Sequence, residues 1–118
     1  MSTTSATPFQ DPADPKDFLD YIADFSSLLE TAETINAGTF TVVPSTNSAL
    51  LGFEISTVFI PVLISGNQMI LFWSFVNESN REDAVFDDEG IQAELTITFT
   101  SSSSRIFERS FLIRIKQL

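Results

Sequence analysis

QAELTITFTSSSSRIFERSFLIRIKQL, from Gln92 to Leu118, is two runs of alternating apolar and polar residues on either side of four serines. Ala93, Leu95, Ile97 and Phe99 fall on one side of the first run and Glu94, Thr96, Thr98 and Thr100 on the other, the period of a half-buried strand. The second run sets Phe107, Phe111, Ile113 and Ile115 against Glu108, Ser110, Leu112, Arg114 and Lys116. Two such runs joined by a short polar turn predict an antiparallel hairpin. The closing stretch from Arg105 also holds four of the six basic residues in a chain of formal net charge -10.

Upstream, the polar loop NESNREDAVFDDEG precedes the hairpin, and MILFWSFV before it is apolar at nearly every position. A strand of that kind has both faces covered, by the core and by an arm or a neighbouring subunit. LLGFEISTVFIPVLI contains Pro61, which cannot donate to a ladder and predicts an edge or a break into two short strands. INAGTFTVV is rich in β-branched and aromatic residues and is closed by Pro44 and the turn STNS. DFLDYIADFSSLLE fits two periods. Phe18, Tyr21, Ile22, Phe25, Leu28 and Leu29 recur as on a helix, while Leu19, Tyr21, Ala23 and Phe25 alternate as on a strand, so local pattern leaves it open. Several short strands without alternating helices predict an all-β sandwich over residues 18–118. Residues 1–17 mix Ser and Thr with Pro8, Pro12 and Pro15 and with Asp11, Asp14 and Asp17, and read as an extended arm rather than a secretory leader. Such an arm is expected to be ordered only by a partner surface.

At 118 residues the chain has the size of one domain. It contains neither cysteine nor histidine, which removes thiolate chemistry, the commonest metal ligand and the commonest general base. No catalytic residue, cofactor or metal is assigned, and an enzyme is not expected. No apolar window spans a bilayer, so a soluble chain without a membrane partner is expected. A pI near 4.1 opposes nucleic-acid backbones. Twelve phenylalanines are a large apolar content for one domain and point either to assembly or simply to a phenylalanine-filled core. Glu82, Asp83, Asp87, Asp88 and Glu89 supply enough oxygens for calcium, without EF-hand spacing. With Trp73 they define the alternative of a calcium- or carbohydrate-binding module, against the simpler reading of a solvated loop. If the first and last strands are neighbours, Asp20 and Asp24 can pair with Arg109 and Arg114, the equal alternative being that these arginines are simply solvated.

Three segments carry a family resemblance. DPKDFLDYIADFSSLL resembles the DPD..LDY..DWS.WL opening of a family of small tailed-phage structural proteins. ETINAGTFTV is similar to that family's DTI.SSTWTV, and TFTSSSSRIFERSFLIRI to its closing TITT..GR.DERSF.LRV. Asp20, Tyr21, Asp24, Ser26 and Leu29 match the opening, and Arg105, Glu108, Arg109, Ser110, Phe111 and Arg114 the close. Phe25 and Phe40 stand where the family tends to have tryptophan, Ser104 where it has glycine, and Phe107 where it has an acidic residue. The resemblance covers both ends, roughly half of the chain, and implies a first strand at Leu19–Phe25 followed by a helical turn at SSLL.

It further implies a single immunoglobulin-like sandwich in the virion, described in that family as a fiber-tail adaptor and assembled in the host cytoplasm. Such an adaptor docks fibers or spikes at the head-neck or tail junction, in multiple symmetric copies, with other virion proteins as partners. A capsid decoration or cement protein bridging coat subunits is the alternative within virions. The expected interface comprises Pro8, Phe9 and Pro12 of the arm, Phe59, Ile64, Leu71 and Trp73 of the apolar strands, and Arg109 and Arg114.

Overall fold

The fold comes from a computed structural model that describes residues 7–9 and 11–118. Among them the strands are β1 (Thr7–Pro8), β2 (Leu19–Asp24), β3 (Thr41–Pro44), β4 (Phe53–Ile55), β5 (Val62–Ile64), β6 (Met69–Val76), β7 (Ile91–Thr100) and β8 (Ile106–Ile115), with a short helix α1 (Thr46–Leu50). The expected hairpin is the longest pairing. β7 and β8 run antiparallel from Ile91 opposite Ile115 to Thr100 opposite Ile106. One sheet has the order β1-β8-β7-β3, and the other the order β2-β6-β4 with β5 also on β6. In immunoglobulin lettering β2, β6 and β4 take the places of B, E and D, and β3, β7 and β8 those of C, F and G. The chain is thus an all-β sandwich, as the alternation predicted, with the immunoglobulin-like strand order that the resemblance implied.

The core lies between the sheets. Ala93, Leu95, Ile97 and Phe99 of β7 face Ala23, Ile70, Phe72 and Val76 of the other sheet, all buried. Phe25 meets Phe99 edge to face with ring centres 4.8 Å apart. The ambiguous segment is a strand because β6 offers a partner along its length, Leu19 opposite Ser74 through Asp24 opposite Met69. It ends in one turn, where the amides of Leu28 and Leu29 donate to the Phe25 carbonyl.

Pro61 produces a break. β2 occupies one edge of β6 over residues 69–74, so β4 and β5 must share the other edge, interrupted by residues 56–61. The buried Ser56 shapes that interruption, its Oγ accepting from the amides of Val58 at 3.2 Å and Phe59 at 3.0 Å. The local serine turn lifts Val58, Phe59 and Ile60 out of the sheet.

Two expectations are corrected. The described part of the arm is ordered by its own domain. Thr7–Pro8 pairs parallel with Phe111–Leu112, Ala13 exchanges bonds with the Arg114 carbonyl and the Lys116 amide, each at 2.9 Å, and Ala13 and Pro15 are buried. The open edge of β8 supplies the surface that a partner was expected to supply. Residues 1–6 and Gln10 of the arm lie outside the described residues. Nor do Asp20 and Asp24 pair with Arg109 and Arg114, because β2 and β8 belong to different sheets. The ion pairs found among the described residues are Lys16–Glu82 and Arg105–Glu33.

The Arg105–Glu33 pair closes one end of the sandwich. The Glu33 carboxylate is buried and accepts from Arg105 Nε at 3.0 Å, from the Glu30 amide at 2.8 Å and from Ser101 Oγ. Arg105 also donates to the Leu28 carbonyl and lies over the Phe107 ring, 4.9 Å from its centre. The guanidinium, with the Glu30 amide and Ser101, holds the Glu33 carboxyl down from an ordinary 4.5 to about 2. Just before Arg105, Ser104 has φ +63°. It takes the left-handed conformation that suits the glycine of the resembling family.

Candidate functional site

The inner faces of both sheets are apolar, so the outer faces distinguish them. On β7 and β8 the outside is mostly polar, with Glu94, Thr96, Thr98, Glu108 and Ser110 beside Leu112 and the exposed Ile106, and the Thr96 and Ser110 hydroxyls lie 3.1 Å apart. On the other sheet the outside of β6 is Met69, Leu71, Trp73 and Phe75, alternating with the buried Ile70, Phe72, Ser74 and Val76. The inner side of the apolar run is covered by the core, and its outer side only in part, by residues of the domain itself rather than by the expected arm or subunit. Phe18 from the entry to β2 and Phe59 from the raised loop lie over Trp73, with ring centres 5.3 and 5.5 Å away. Phe18 also meets Phe75 at 5.5 Å and Phe59 at 5.9 Å.

These rings are themselves open to solvent. Phe59 is 53 % exposed, Val58 83 %, Ile60 62 % and, across the sheet, Ile22 is 48 % exposed. A hollow of about 340 Å³ opens between Phe18, Val58, Phe59 and Phe75, with Arg81 at its wall. The Arg81 side chain is fixed there by its Nε bond to the Val76 carbonyl at 2.8 Å. Contiguous exposed aromatic and aliphatic surface on one face of a small domain marks an interaction site.

The expected interface residues fall into three places. Phe59, Ile64, Leu71 and Trp73 come together on or beside this outer face. Pro8, Phe9, Pro12 and Arg114 gather at a second groove, completed by Gln92. Phe9 is half-buried there, its ring 5.0 Å from Tyr21 and 5.6 Å from Phe111, so it plugs the open side of the core. Arg114 donates to the Glu89 carbonyl. Arg109 joins neither group; it donates to the Glu108 carbonyl and sits 5.7 Å from the centre of the Phe107 ring. Residue pattern alone did not single out Phe18, Ile22, Val58, Ile60 and Phe75. The usable signals were apolar residues at both parities of β6 and an apolar loop directly before Pro61.

Charge is distributed unevenly around the face. Burial, with the carboxylates of Asp17, Asp20 and Asp11, pushes the Tyr21 hydroxyl up to about 12. The field at this side of the sandwich is therefore negative. Asp24 is held below the usual carboxylate range by the Ser26 hydroxyl and amide, and Asp14 by the amides of Leu118 and Lys16. The acidic loop does not converge. Glu82 pairs with Lys16 at 3.5 Å and Asp83 accepts from Asn80 at 2.9 Å. Among the described residues no three carboxylates are grouped to hold a metal ion, and no helix is long and apolar enough to cross a membrane.

Compared with known proteins, the chain matches no family model and no curated protein.

Proposed function

We propose that this chain is a virion structural protein of a tailed phage, an adaptor at the head-neck or tail junction that docks fibers or spikes. It works by recognition, in several symmetric copies, so that avidity rather than one tight contact holds it in place. The observation that carries the docking role is the partly exposed cluster of Phe18, Phe59, Trp73 and Phe75 on the outside of one sheet. The assignment to a virion rests on the resemblance of the opening and closing segments.

The test replaces Val58 and Phe59 by serine. Both side chains are largely in water, so the folded domain should melt within a few degrees of the unaltered protein. Particles assembled with the variant should contain little of it, whereas a control carrying Thr96→Ala and Thr98→Ala on the opposite face should be incorporated normally. Equal incorporation of the Val58/Phe59 variant would overturn the reading. Deleting residues 1–17 is a poorer test, because it strips β1, Phe9 and Ala13 from the domain's own edge and core.

A further inference from the structure

Among the described residues the longest strand edge without a partner is that of β2. β1 covers β8. β3 is four residues long and ends at Pro44, and the edge made by β4 and β5 is interrupted by the raised loop and Pro61. β2 has six residues without proline or glycine, and among the described residues its backbone pairs with β6 alone. In immunoglobulin sandwiches this edge is the place of strand A. Here the chain ahead of β2 runs along β8 in the other sheet instead, and an open groove remains between Phe9, Asp11, Pro12 and the first half of β2. Natural sheets rarely leave such an edge uncovered, because its unpaired amides and carbonyls template another strand.

We propose that the outer edge of β2 takes up an extended, basic segment of a partner protein as the missing strand of this sheet. The inference rests on the docking role proposed above, since the added strand would widen the aromatic face. Backbone pairing supplies the contact and alternate side chains supply the choice of partner. Outward positions of the added strand lie beside Asp20, Ile22 and Asp24, and call for a cation, an apolar residue and a cation in turn. Inward positions lie beside Leu19 and Tyr21 and call for aliphatic residues. Asp11 and Asp17 extend the negative side of this groove. A second copy of the chain is a poor occupant. Pairing two β2 strands about Ile22 sets Asp20 against the copy's Asp24 twice, between molecules of formal net charge -10 each.

The probe is a short peptide of alternating lysine and valine, compared with an alternating glutamate and valine peptide and with a lysine–valine peptide N-methylated at every residue. Hydrogen exchange of the backbone amides in Leu19–Asp24 is the readout. The lysine peptide should slow exchange there at least tenfold, and the other two should not. The N-methylated peptide keeps the charge and loses the ladder, so protection by it would overturn strand addition in favour of charge attraction alone. In a variant with Asp20→Lys and Asp24→Lys the preference should reverse toward the glutamate peptide; the single change Asp20→Asn, which should weaken the lysine peptide, serves if the double variant does not fold. Protection falling on Thr41–Pro44, on no strand, or in the protein alone as it dimerises would overturn the proposal. An incorporation defect of the Val58/Phe59 variant with an unprotected β2 edge would remove this inference and leave the docking face.

Discussion

The two sheets bury similar inner faces and present opposite outer ones. β7 and β8 alternate Leu95, Ile97 and Phe99 inward with Glu94, Thr96 and Thr98 outward, the pattern of a sheet with one face in water. β6 is apolar on both sides, and its outer residues Leu71, Trp73 and Phe75 are only partly roofed by Phe18 and Phe59. Both arrangements satisfy folding, because folding needs one buried face per sheet. The second outer face therefore needs an explanation beyond stability, which is why docking is placed there. A hydrophobe facing the core is decided by packing, and one facing out by what the domain meets.

The sharpest way to break this comparison is to exchange inner for outer positions on one strand. Phe72→Ala removes a fully buried ring packed against Phe9 and Tyr21, and should destabilise the domain by about 3–5 kcal/mol. Chemical denaturation measures it, and a loss as small as that expected from the Val58/Phe59 change would mean the core is misplaced. A second handle lies at the junction of the sheets, where Glu33 is charged and buried beside Arg105. Because its carboxyl is lowered from 4.5 to about 2 on folding, its charged form stabilises the fold above about pH 5, and that contribution is lost as pH falls toward 2. The melting temperature of Glu33→Gln should be lower at pH 7 and fall less steeply between pH 5 and 2; parallel pH profiles would remove Glu33 as the group responsible. The smallest effect belongs to the turn of the polar hairpin. Ser104→Gly relieves a left-handed serine and should raise stability by about 1 kcal/mol, with an unchanged outer face.

Legibility in the sequence followed the range of each interaction. The hairpin, the break at Pro61 and the double-sided character of MILFWSFV could all be read, because side-chain alternation and proline act within a few residues. The helix-or-strand question over Leu19–Phe25 could not be answered from residue pattern, since both periods are present, and the resemblance pointed correctly to a strand with a turn after it. Half of the candidate site was legible for the same reason: Leu71 and Trp73 stand out as apolar where alternation demands polar, and Phe59 lies in the apolar stretch directly before Pro61. Phe18 and Ile22 did not, because each also fits the apolar stripe of a helix.

The arginines show the limit most clearly. ERSFLIRI identifies a last strand, but what its cations touch depends on which sheet receives β2, and pairing with Asp20 and Asp24 fails on that point alone. Arg105 instead finds Glu33, 72 positions earlier, across a junction that no local period encodes. The arm is similar. Its composition says that it cannot form a core of its own, and only the free edge of β8 turns it into a strand. By itself the sequence determined the all-β class, the strand periods and the turns, because these depend on neighbours along the chain. Tertiary structure alone decided which sheet each strand joins, which carboxylate is buried and which edge stays open, because those depend on which distant segments compete for the same hydrogen bonds.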